Sequence, residues 1–178
     1  GLYRFNYSKR PEEVPEGFYE EGYDVSSWDS IKVPSHIQIQ GYGNPAYVNT
    51  QYPWDGIDLV TPPEVPSYFN PVGSYVRRFT LPEEFKREDR PVIISFQGAE
   101  SALAVWVNGE YIGYSEDAFT PSEFDITEAV KREGENTLAV SVFRYTSSSW
   151  CDDQDFFRFS GIFRDVYLYT YPEIHIRD

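Results

Sequence analysis

Three carboxylates, Asp152, Asp153 and Asp155, are set into a run of apolar aromatics in the stretch DDQDFFRFSG (Asp152–Gly161). A carboxylate beside Phe156, Phe157 and Phe159 is costly to desolvate unless a cation or hydrogen-bond donors compensate it. The pattern therefore predicts an acid that is either exposed or held by a partner. The other acid runs, Glu12-Glu13, Glu20-Glu21 and Glu83-Glu84, read as solvated surface charge. The two histidines are widely separated. His36, in PSHIQ, reads as a structural hydrogen-bonding residue, and His175 has only Glu173 near it, so neither is assigned a catalytic role. The chain contains no HExxH, paired CxxC, GxSxG or GxxxxGK[ST], so no complete metal, nucleophile or phosphate-binding template is present.

The elements that must position these acids are short strands. SYVRRFTLP (Ser74–Pro82), PVIISFQG (Pro91–Gly98), SALAVWVNG (Ser101–Gly109), EYIGYSE (Glu110–Glu116), TLAVSVFRY (Thr137–Tyr145) and RDVYLYTY (Arg164–Tyr171) are β-branched and aromatic runs that largely alternate. Asn108-Gly109 lies between two of them and predicts a type I′ hairpin, whose two central residues need positive φ. That hairpin would put Trp106 and Tyr111 on adjacent strands. ITEAVKREGEN carries the only marked helical pattern, a short connector with Thr127 as cap and Gly134 as its end. Alternation assigns at least some of Trp106, Tyr111 and Tyr114 to the core rather than to an exposed aromatic platform. The expected fold is all-β, a two-sheet sandwich of jelly-roll type. Residues 34–71 carry seven prolines among many Tyr, Asn and Gly and predict a long irregular loop, functional or packed against a neighbour.

At 178 residues the chain suits a single domain with a sizeable core. A net charge of −14 disfavours nucleic acids and anionic membrane surfaces as partners. No apolar run approaches the roughly 20 residues needed to span a bilayer, and no export signal is visible at the N-terminus. Cys151 is the one cysteine, which together with the missing signal sets the cytoplasm as the expected location. The sequon Asn6-Tyr7-Ser8 carries little weight in this context. GLYRFNY opens in mid-strand pattern without an initiator Met, so the chain reads as a piece of a longer protein.

Five segments in order, VPSHIQIQGYGNPAYVNTQYP (Val33–Pro53), PVGSYVRRF (Pro71–Phe79), WVNGEYIGYSEDAFTPSEFDIT (Trp106–Thr127), GENTLAVSVFRY (Gly134–Tyr145) and DDQDFFRFSGIFRDVYL (Asp152–Leu168), resemble the N-terminal sugar-binding domain of glycoside hydrolase family 2. The likeness is to the large bacterial β-galactosidases and covers nearly the whole chain. WVNG and GENTLAV are shared with β-glucuronidases and β-mannosidases and specify only the family. The sugar is implied by the Val33–Pro53 and Asp152–Leu168 segments.

The resemblance implies a jelly-roll domain followed, in one polypeptide, by an immunoglobulin-like domain and a TIM barrel. The two catalytic glutamates of a retaining mechanism then lie in the barrel. No catalytic residue is expected in residues 1–178, and the isolated chain should be inert. By its match to the family motif, Asp155 is the carboxylate that takes a hydrogen bond from a galactosyl hydroxyl and helps ligate a monovalent cation, usually sodium. A hard oxygen suits a hard cation, which in turn offsets the carboxylate charge. The structural alternative pairs Asp155 with Arg158 or Arg164. Asp152 and Asp153 are expected to bond backbone or line the rim. Glu100, in GAESA, falls on a loop near the bound sugar in the family, the alternative being a surface turn acid. Magnesium is a possible second cofactor with ligands mostly outside this chain, and the parent is expected to be a homo-oligomer. Two other functions stay open: a stand-alone carbohydrate-binding module, and an assembly domain docking through the Pro-rich loop.

Overall fold

The computed structural model describes residues 1–152 and 155–176. Its main layer is a six-stranded antiparallel sheet. Along it lie β2 (Asp29–Lys32), β1 (Leu2–Ser8), β4 (Val72–Phe79), β10 (Asn136–Phe143), β7 (Ala102–Val107) and β8 (Glu110–Ser115), in that order. The facing layer is three-stranded, with β5 (Ile93–Phe96) between β13 (Val166–Tyr169) and β9 (Ser122–Asp125). Two short ladders close one end of the sandwich. One joins β6 (Ala99–Glu100) to β12 (Gly161–Ile162), the other β3 (Ala46–Val48) to β11 (Phe156–Arg158).

Period-2 alternation builds the core. Leu103, Val105 and Val107 of β7 and Leu138, Val140 and Val142 of β10 point between the layers. They meet Ile94 and Phe96 of β5, with Tyr3, Phe5 and Tyr75 beside them. Trp106 and Ala139 face outward, where Val76 and the aromatics of residues 18–28 cover them; Tyr19 stacks on Trp106 at 5.1 Å. The β7–β8 hairpin turns at Asn108 (φ 52°) and Gly109 (φ 85°), as the Asn-Gly signal requires. Asn108 also holds the turn to the body of the domain, since its Nδ2 donates to Ala129 O and Asn136 Oδ1 while its Oδ1 accepts from Thr137 N.

The structure departs from the sequence reading in three places. Residues 34–71 are not wholly irregular: β3 lies within them and pairs with β11, so the Pro-rich span reaches the Asp-rich segment by backbone hydrogen bonds. The ITEAVKREGEN stretch forms turns rather than a helix, and Asp125, not Thr127, caps them by accepting the Thr127 N–H. Thr127 is drawn away to accept Val92 N at 2.9 Å. Tyr111 and Tyr114 are 57% and 45% exposed and do not belong to the core, because β8 is the sheet edge and, among the described residues, its outer face lacks the cover that residues 18–28 give Trp106. The sequon lies inside β1, where Ser8 Oγ donates to Asn6 Oδ1.

Candidate functional site

The two predicted site residues flank one segment, Asp152–Ile162. Asp155 immediately precedes β11, and Glu100 pairs with Gly161 across the β6–β12 ladder. Their environments differ sharply.

Asp155 is exposed and adopts φ 58°, a left-handed conformation that Asp tolerates better than most residues. Its N–H donates to Asn49 O at 2.8 Å, and its Oδ1 accepts the Tyr47 hydroxyl in a short contact. Tyr47 is placed for this by β3, where it pairs with Phe157 of β11. The Pro-rich span thus clamps Asp155 at both backbone and side chain. The alternative ion pairs do not form: Arg158 binds Asp152 at 3.0 Å, and Arg164 donates to the carbonyls of Phe119 and Gln97. Asp152 is thus an ion-pair partner of Arg158, and Asp153 lies outside the described residues. An exposed carboxylate without a cationic partner among the described residues suits a ligand of a hard cation. No three His, Cys, Asp or Glu side chains gather as a metal centre among the described residues, so Asp155 supplies at most part of a coordination shell.

Glu100 is 4% exposed, which rules out a surface turn acid. Burial is the main influence on its carboxyl and the nearby Asp152 adds to it, pushing the pKa up to about 7 against the opposing pull of the Phe159 N–H, Arg158 and Arg144. Arg144 and Arg158 are themselves 3% and 6% exposed. Arg144 Nη2 donates to Asn44 O at 2.9 Å and Arg158 O at 3.0 Å, tying the Pro-rich span to β11. His36 completes this corner, its Nδ1 3.9 Å from Glu100 Oε2.

The sequence reading passed over Arg144, weighed Arg158 only as a partner for Asp155 and took His36 for a structural hydrogen-bonding residue, whereas its buried Nδ1 has no hydrogen-bond partner among the described residues. The signal for the arginines was present, because a guanidinium flanked by Phe143 and Tyr145, or by Phe157 and Phe159, needs compensation just as a carboxylate does. Nothing local announces His36, which reaches Glu100 from 64 positions earlier in the chain. Three cavities lie elsewhere, one of about 860 Å³ beside Tyr169, Tyr171 and His175, one of about 620 Å³ beside Arg77 and one of about 460 Å³ between Tyr7, Trp54 and Tyr145. Glu100 and Asp155 line none of the three.

The sequence profile of the glycosyl hydrolases family 2 sugar-binding domain matches residues 1–172. Curated relatives include a β-galactosidase of Halalkalibacterium halodurans, 56% identical over the whole chain, and one of Clostridium acetobutylicum, also 56% identical over the whole chain. The chain spans only 17% and 20% of their lengths. Among solved structures, a calcium-binding mutant of Bacteroides uniformis β-glucuronidase 2 superposes with a TM-score of 0.67 at 26% identity, covering 97% of this chain and 17% of that one.

Proposed function

Since the chain belongs to glycoside hydrolase family 2 as its sugar-binding domain, we propose that it is the N-terminal domain of a retaining β-galactosidase and forms one wall of the galactose and cation pocket. The observation that carries this reading is the corner at Asp152–Ile162, where a clamped, exposed carboxylate and a buried carboxyl flank one segment. In this reading Asp155 accepts a hydrogen bond from a sugar hydroxyl and contributes one oxygen to a sodium ion. The ion, when bound, offsets the carboxylate charge. Glu100 contributes a second polar contact to the sugar. The catalytic glutamates, the other sodium ligands and any magnesium site belong to parts of the parent outside this chain. The parent's barrel, a second copy of the parent and the β-galactoside are the partners implied.

The charge of the corner favours a neutral hexoside over the hexuronides of the structurally similar glucuronidases. It presents Glu100, Asp152 and Asp155, while Arg158 is engaged by Asp152 and Arg144 by backbone carbonyls. A uronate carboxylate placed there meets the exposed Asp155 carboxylate without a disengaged cation among the described residues. No described helix is long and apolar enough to cross a membrane, and the cytoplasm is the compartment this reading implies.

The test is hydrolysis of chromogenic β-galactosides and β-glucuronides by the parent protein and by residues 1–178 alone. The expected result is galactoside turnover by the parent and none by the domain; preferential glucuronide turnover by the parent, or activity that follows the purified domain, overturns the reading. One observation favours a second reading, a carbohydrate-binding module: Tyr111 and Tyr114 lie exposed beside Trp106 on the outer sheet face. Calorimetric titration of the domain with galactose separates the two, since a module binds at millimolar or lower concentration and a pocket wall does not.

A further inference from the structure

Glu100 sits among groups supplied by five segments of the chain. Asp152 approaches from the loop before β11, Arg158 from β11 itself, the Phe159 N–H from the strand end and Arg144 from the end of β10. Arg158 has Asp152 as ion-pair partner and Arg144 Nη2 has two carbonyls. His36 is differently placed. Its Nδ1 is buried, has no hydrogen-bond partner among the described residues, and lies 3.9 Å from Glu100 Oε2.

This approach is enforced by the fold. The imidazole is stacked between Phe159, at 4.6 Å and 28°, and Phe163, at 5.0 Å and 12°. Its backbone is fixed on both sides, because Ser35 N donates to Ile162 O and Ile37 N to Ser160 O, each at 2.9 Å. Gln38 then grips Ser160 twice, donating from Nε2 to its Oγ and accepting its N–H at Oε1. The Ser160–Ile162 segment that receives these bonds carries β12, which pairs with Glu100 itself. His36 and Glu100 are thus held to the same short strand from opposite sides. Two rings block the imidazole faces, and a buried ring nitrogen left without a partner is costly.

We propose that His36 is the positioning residue for Glu100, the two titrating as one coupled pair across the 3.9 Å between Nδ1 and Oε2 and so fixing the carboxyl that faces the sugar. With one proton on the pair, the buried corner carries either a neutral acid and a neutral imidazole or a carboxylate and an imidazolium. With two protons it gains a positive charge, and with none a negative one. Burial favours the neutral forms, lowering the His36 pKa while raising that of Glu100. The titration therefore belongs to the pair and not to either residue. The functional consequence rests on the assignment of Glu100 to the sugar pocket; the coupled titration does not.

The chain has only two histidines, and His175 is exposed near its end, so histidine-selective NMR resolves His36 directly. The expected titration of His36 in the 178-residue chain is biphasic, and in Glu100→Gln it collapses to one step displaced to lower pH by about one unit or more, the effect expected of removing an opposite charge within 4–6 Å. A single-step curve in the wild-type chain, or one that Glu100→Gln leaves unmoved, overturns the proposal; the wild-type curve decides even if the variant fails to fold. In the parent enzyme, His36→Gln and the stack-preserving His36→Phe should each lower kcat/KM for a β-galactoside by roughly tenfold, the equivalent of a one-unit pKa coupling between the pair. Neither should lower it further when combined with Glu100→Gln. Additive losses overturn the positioning role. If Glu100→Gln itself leaves turnover unchanged while the NMR result holds, the pocket assignment of Glu100 fails and the coupled pair stands.

Discussion

The interior of the sandwich and the corner at Asp152–Ile162 are both tightly buried, yet they are built on opposite principles. Between the sheets, Leu103, Val105, Val140 and Phe96 are essentially inaccessible and entirely apolar, so each buried group contributes favourably by leaving water. At the corner, Glu100, Arg144, Arg158 and Ser160 are buried to a similar degree but carry charge or polarity that burial penalises. Ion pairs, backbone carbonyls and a shared strand offset that penalty. Burial alone therefore does not mark a stabilising region. Charge held at such expense in one corner of an otherwise apolar domain points to a task other than stability.

The contrast breaks first in the core. Leu103→Ala should cost about 3–5 kcal/mol of stability, the range for deleting a fully buried leucine, and should leave the sodium response of the parent enzyme unchanged. Thermal melting and sodium titration measured together check this; a shifted sodium response would join two regions that the structure keeps apart.

Asp155→Asn should do the reverse. It retains one oxygen acceptor for Tyr47 but removes the charge, and losing a charged hydrogen bond is worth roughly 1.5–3 kcal/mol. That corresponds to about tenfold to more than a hundredfold in kcat/KM for the parent enzyme. The variant should need more sodium or cease to respond to it while its melting temperature stays near wild type. A lowered melting temperature with an intact sodium response would make Asp155 a structural residue.

Glu100→Gln sharpens the comparison through pH. The folded carboxyl titrates at about 7 instead of its ordinary 4.5. A raised pKa means that the stability tied to its protonated form is fully present below about pH 4.5 and is lost as pH rises through about 7. Replacing the acid with a neutral amide removes that loss. The stability difference between variant and wild type should therefore grow in favour of the variant from pH 5 to pH 8, by on the order of 1–3 kcal/mol. Melting curves across that range test it, and a difference independent of pH would mean that Glu100 titrates normally.

Gly109→Val gives the smallest of these effects. A Cβ at this position meets nothing closer than 3.6 Å, so the cost is the positive φ of 85° alone. Roughly 1–2 kcal/mol of destabilisation is expected, seen as a lower melting temperature without change in sugar binding. An unchanged melting temperature would show that the turn relaxes freely despite the Asn108 side-chain contacts.

What the sequence determined by itself was everything set by local periodicity or by an ordered motif. Alternation located β4, β5, β7, β8, β10 and β13 because each carries its apolar face in its own residues. Asn108-Gly109 placed the hairpin because positive φ is a property of those residue types. Asp155 was legible as an acid that aromatics alone could not satisfy. The tertiary structure decided the rest. Strands β6, β11 and β12 are two or three residues long, too short for any period to declare itself, and exist only because distant backbone meets them. Tyr114 looks apolar and alternating in sequence, but an edge strand leaves it in solvent. Arg158 took Asp152 rather than Asp155 because β11, paired to β3, turned Asp155 toward Tyr47. His36 stands beside Glu100 only because both are bonded to Ser160–Ile162, and no sequence pattern encodes a contact across a separation of 64 positions when the link is made by a third segment.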